Sequence, residues 1–171
     1  MVRQLHEQKP PIKSTDVGVE PVNSLEWLEY SAIGELARQF YPWLEVMHIL
    51  GFSVLFGCIT IFDLRMLGYY RRFSIADSVI YLLRLARMSF IVVVGSGLLL
   101  FAAQATLLAV NPAFRFKLLL LAIALLNAAI FHWQFSRSRQ MKQLIFVKAI
   151  AIISLLAWTG IVICGRFIAY T

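Results

Sequence analysis

The chain is poor in charge, poor in cysteine and empty of the short motifs on which soluble catalysis rests. Only 15% of its 171 residues are charged, against 60% hydrophobic. It has no glycine-rich phosphate loop, no nucleophile elbow and no pair of catalytic carboxylates, which removes the common nucleotide-dependent and hydrolytic chemistries. Cys58 and Cys164 are its two cysteines, roughly 100 residues apart in different apolar runs. Disulfide frameworks and zinc sites need closer or more numerous cysteines, so both read as small packing residues. Acids are scarce after the first third, since seven of nine lie at or before Glu45. The opening MVRQLHEQKPPIKSTD has no apolar run after its basic start, so no cleavable secretory signal is expected.

What the chain has is apolar length. Runs over about 43–64, 86–110, 113–134 and 144–167 approach or exceed the roughly 20 residues that a helix needs to cross hydrocarbon. Only helices or closed barrels satisfy their backbone there, and the mean hydropathy of +0.77 agrees. The expected fold is all-α: a polytopic membrane four-helix bundle over 41–171, with room for no second domain. Before it, residues 1–22 are polar, with Pro10, Pro11 and Pro21, and read as an extended or disordered tail. Over 23–40, Asn23 and Glu26 form a capping box, and Leu25, Leu28, Ile33, Leu36 and Phe40 recur near helical spacing. That pattern predicts an amphipathic helix lying on the membrane surface, as anchor or as lid. A short interfacial helix is expected after Ser74.

The net charge is +7, but its distribution points to a membrane and away from nucleic acid. Arg65, Arg71, Arg72, Arg84 and Arg87 lie between the first two spans, and Arg137, Arg139 and Lys142 between the last two. Basic loops stay in the cytoplasm and favour anionic lipid. The expected topology is multi-pass in a bacterial inner membrane, with both termini outside. Four short spans leave few interior positions, so a homo-oligomer or a partner membrane or periplasmic subunit is expected.

Ionisable groups within spans are functional candidates by default. Glu45, His48, Gln104, Lys117 and Arg166 fall toward the expected outer side, and Asp63, His132 and Lys148 toward the inner. Glu45 and Asp63 are 18 residues apart, as are Lys148 and Arg166, and that spacing puts each pair on one helix face. If those faces meet, Glu45 pairs with Arg166 and Asp63 with Lys148; otherwise the basic side chains snorkel to the interfaces. Glu45-Val46-Met47-His48 presents two metal-capable side chains one turn apart. A di-iron bundle needs two such motifs and two further glutamates, and one motif occurs here. His48 and Glu45 remain candidates for a single metal, with a soft copper site using Met and His as a variant. His48 is equally a candidate axial ligand to haem b, with Arg166 or Lys117 on a propionate, or a hydrogen-bond partner to a quinone. His132 sits near the opposite end of its span, of order 20 Å away in depth, so one haem cannot join the two within one chain. Gly51, Gly57, Gly95, Gly97, Gly160 and Gly165 mark close helix approaches.

The segment Tyr41-Pro42-Trp43-Leu44-Glu45 through His48, Gly51 and Gly57 to Asp63-Leu64-Arg65-Met66-Leu67-Gly68 resembles a family of small bacterial inner-membrane proteins with no assigned activity. Asn111-Pro112-Ala113-Phe114-Arg115-Phe116-Lys117, Asn127 to His132, and Gly165-Arg166-Phe167-Ile168-Ala169-Tyr170 carry the same resemblance. More distantly the chain is similar to the membrane half of copper-resistance protein D and to b-type cytochrome bundles, which implies copper handling or haem-linked electron transfer. Such cytochromes carry more histidine ligands than the two membrane histidines here. Three functions are therefore weighed. The first is a haem- or quinone-linked electron-transfer subunit with its site around Glu45, His48, Gln104, Lys117 and Arg166. The second is a carrier for a small solute or copper ion, and the third a structural anchor.

Overall fold

A computed structural model describes residues 25–69, 75–137 and 144–170. Asn23, the polar tail and most of both basic loops lie outside them. The described chain is helical and contains no strand. Four of its helices are long and apolar enough to cross a membrane: Tyr41–Leu67, Tyr81–Ala103, Pro112–Trp133 and Ile145–Tyr170. The protein is thus a multi-pass membrane bundle.

The segment before the first span forms two short helices, α1 (Glu26–Glu29) and α2 (Ala32–Gln39), in place of the one expected over 23–40. Ser31 is the reason for the break. Its hydroxyl donates to Leu28 O and accepts from Gly34 N–H, so it ends one helix and caps the next. Gly34 is held against α1, where a Cβ would meet Glu29 O at 2.3 Å. Gly34 and Ala37 are buried, while Trp27, Tyr30, Ile33 and Leu36 are exposed, an apolar face suited to the lipid interface.

The first span is α3 (Tyr41–Leu67), with Pro42 in its first turn, where a missing N–H costs nothing. It stops at Gly68, whose φ of 104° is left-handed, with Gly68 N–H donating to Arg65 O and Tyr69 N–H to Leu64 O. This is a Schellman end that only glycine closes without strain. The second span, α4 (Ile75–Ala103), absorbs the interfacial helix expected after Ser74 and runs unbroken to Ala103. Gln104 then interrupts the helix (φ −143°, ψ 43°) before α5 (Ala105–Val110). Asn111 caps α6 (Pro112–Arg137) by accepting from Phe114 N–H at 3.1 Å. The last span is α7 (Leu144–Phe167), followed by a 3₁₀ turn at Ile168–Tyr170.

The spans pack side by side in the order α4, α3, α7, α6, and α2 lies against α4. Among the described residues no Cα of α4 comes within 8 Å of one in α6. Side chains bridge that wider seam: Phe101 stacks on Phe114 at 5.6 Å, and Phe90, Val93, Leu120 and Leu121 pack on one core. The centre of that core is Leu55, Cys58, Ala124, Ala157, Trp158 and Ile161. Close approach is bought with glycine at Gly51, against Val92 and Val93 of α4, and at Gly160, against Leu120 of α6. We call the end carrying α1, α2 and the 3₁₀ turn proximal, and the end at Leu67 distal.

One carboxylate fastens the proximal cover to the bundle. Glu29 accepts from Thr106 N–H at 3.1 Å and from its hydroxyl at 2.6 Å, and Arg38 stands 3.9 Å away. Glu29 therefore caps the first turn of α5 from a distant part of the chain. The Thr106 hydroxyl, then its N–H, and the Arg38 guanidinium hold the Glu29 carboxyl below its ordinary 4.5, against opposing desolvation. A depressed acid contributes its stability above the unfolded value and loses it as pH falls through the folded one. Hydrogen exchange of the 105–110 amides should consequently stay slow above pH 4.5 and speed up below it, after correction for intrinsic rates. In Glu29→Ala at neutral pH the same amides should exchange about fivefold faster, from a lost cap of about 1 kcal/mol. Unchanged exchange in that variant contradicts the capping role.

Candidate functional site

Two polar groups lie inside the bundle, one in each half. The proximal one is built by all four spans. His48 projects from α3 toward α4, where its Nδ1 lies 3.0 Å from Ser96 Oγ. Ser96 Oγ also lies 2.7 Å from Val92 O and 3.3 Å from Val93 O. A hydroxyl proton held on either carbonyl makes Oγ an acceptor from Nδ1–H, the tautomer that leaves Nε2 with its lone pair. The Val93 carbonyl is a second acceptor for the ring. Gly97 makes the space, because a Cβ there would stand 3.0 Å from His48 Cε1. Lys117, half-buried on α6, acts electrostatically on His48. Its Nζ lies 3.9 Å from where a Gly165 Cβ would be.

The other expected site residues stand apart from this group. Glu45 is exposed, one turn before His48. Arg166 is exposed and is engaged with Tyr170, donating to its hydroxyl and lying 4.9 Å from its ring centroid. Gln104 sits at the helix break, about 12 Å along the axis from Ser96 by helical rise. His132 is exposed on α6. Among the described residues no group of three or more His, Cys, Asp or Glu side chains converges as a metal site would require.

Neither expected ion pair forms. The ion pairs among the described residues are Arg38 with Glu29 and Arg38 with Glu35. The buried stripe of α7 runs through Ile150, Ala151, Ser154, Ala157, Trp158 and Ile161. Lys148 and Arg166 do share a face, but it is an exposed one off that stripe. Asp63 is buried and takes its hydrogen bond from Ser154 instead.

That bond belongs to the distal group. Asp63, Ser154 and Asn127 line a cavity of about 100 Å³ with Phe62, Phe131 and Trp158. Asn127 spends its amide nitrogen on Ile150 O at 3.1 Å. Asp63 Oδ2 is buried with no hydrogen-bond partner. Ser96, Ser154 and Asn127 carry no recognisable motif. The one signal in reach was Gly95-Ser96-Gly97, a polar side chain between two small ones.

The match to a family model covers residues 24–171, spanning both polar groups and the proximal cover. The chain belongs to the DUF6644 family, described as a family of unknown function. No curated protein and no solved structure matches it. The family's description makes no connection to copper-resistance protein D or to b-type cytochromes.

The tautomer of His48 is directly measurable. In ¹⁵N-histidine-labelled protein at pH 8, His48 should give the pattern of a neutral ring protonated at Nδ1. Ser96→Ala should shift it toward the Nε2 form, and a wild-type ring already protonated at Nε2 contradicts the geometry.

Proposed function

We propose that this membrane protein binds the headgroup of a quinone or quinol between His48 and Lys117, as a quinone-linked membrane subunit. The observation that carries the reading is the imidazole held by Ser96 through Nδ1, which leaves Nε2 for a ligand. A quinol hydroxyl donates to Nε2, and a quinone carbonyl accepts from the Lys117 ammonium, a charge-assisted bond. Apolar walls with a few convergent polar groups are the usual make-up of such a site.

A haem held by two histidines of one chain does not fit these residues. His132 is exposed on the lipid side of α6 and near its distal end, while His48 is on the proximal side of α3. For a carrier of solute or copper, the packed middle of the bundle around Leu55, Cys58 and Trp158 offers no support.

The test is photolabelling in lipid nanodiscs with an azido-quinone, mapped by mass spectrometry. Labelling should fall on the segments around His48 and Lys117. His48→Ala and Lys117→Gln should each weaken competition by native quinone about 10- to 100-fold, the range of a lost charged hydrogen bond. Equal competition in both variants, or labelling confined to the distal half, refutes the reading.

A further inference from the structure

The distal cavity has a chemistry of its own. Among the described residues Asp63 is its only titratable lining residue, and no cation is paired with it. Ser154 gives its proton to Asp63, so on this lining residue the oxygen is left as an acceptor. Asn127 has one N–H on Ile150 O, which leaves its second N–H and the amide oxygen, another acceptor. Asp63 Oδ2 is a third acceptor, buried and unpartnered. The rest of the wall is apolar, with the rings of Phe62, Phe131 and Trp158. The donors left on this wall are the second Asn127 N–H and the Trp158 indole N–H; they are outnumbered by the oxygen acceptors, and with the aromatic rings those acceptors are complementary to a compact cation that donates hydrogen bonds.

We propose that this cavity is a binding site for a small primary ammonium ion, with Asp63 as counter-charge, Ser154 and Asn127 as further acceptors and the aromatic rings around the alkyl part. A divalent metal is a poor match, since Ca²⁺ or Mg²⁺ takes six or more oxygens and three side chains offer them here. The volume of about 100 Å³ exceeds what a single water occupies and restricts the ligand to a few heavy atoms. Leaving a carboxylate buried and unpaired is costly, and a bound ammonium ion removes that cost. The site is independent of the His48 region and survives the failure of the quinone reading.

Trp158 provides the readout. The Trp27→Phe, Trp43→Phe, Trp133→Phe protein in nanodiscs at pH 7 leaves it as the sole indole. Titration with methylammonium chloride should give a saturable change in its fluorescence, absent with sodium chloride at equal ionic strength. Propylammonium should compete, and bulky tetrabutylammonium should not. Asp63→Asn, nearly isosteric, should weaken methylammonium binding at least tenfold while keeping the cooperative unfolding of the parent. Ser154→Ala, which spares the carboxylate, should weaken it less and keeps the test available if Asp63→Asn fails to fold. Infrared difference spectra should show a carboxylate band for Asp63 in the presence of methylammonium. No saturable response in the parent protein overturns the proposal, as does an equal response in Asp63→Asn. A protonated Asp63 carboxyl that persists at saturating methylammonium also overturns it, and makes the cavity a hydrated acid only.

Discussion

Hydrocarbon offers a polar group no hydrogen-bond partner, and the arrangement of this bundle follows from that constraint. Several of the interior polar side chains described above are tied to a neighbour within the protein. Ser96 bonds the Val92 carbonyl and the His48 ring, Asn127 reaches across to the Ile150 carbonyl, and Ser154 serves Asp63. Asp63 Oδ2 and Thr60 Oγ1 are buried without a partner, and Asp63 lines the distal cavity. Charges with no interior partner, Glu45, Lys148 and Arg166, are instead exposed.

The first span organises the rest. It carries His48 toward α4 in the proximal half and Asp63 toward α6 and α7 in the distal half, about 22 Å apart along the helix by its rise. Between them Leu55 and Cys58 are buried against Ala157, Trp158 and Ile161. Two polar sites on one helix, separated by a dry core, suit two separate binding events better than a route across the membrane. The Glu29 clamp closes the proximal end in a different way, by using an acid outside the spans to finish a helix inside the fold.

Much of this architecture was legible from apolar length and end signals. Pro42, Gly68 and Asn111-Pro112 mark helix ends by local chemistry, and local chemistry is what a sequence displays. The break at Gln104 was not legible, because its support is Glu29, far away in the chain. Neither was the face that α7 turns inward. A spacing of 18 residues correctly puts Lys148 with Arg166, but the stripe of Ala151, Ser154, Ala157 and Ile161 decides which face packs. His48 and Lys117 were visible as costly residues, whereas their setting was not. Ser96 and Gly97 matter through position on a neighbouring helix, and the cavity around Asp63 exists only once four helices have met.

The dry core between the two sites is the claim on which the account turns, and Cys58 lies in it. In Cys164→Ser protein, Cys58 is the sole thiol. Right-side-out and inverted vesicles would be treated with a small, membrane-impermeant methanethiosulfonate and the intact mass measured. The account predicts no modification from either side, and complete modification after denaturation in detergent. Modification of the folded protein from either face would reveal water between the two sites and contradict it.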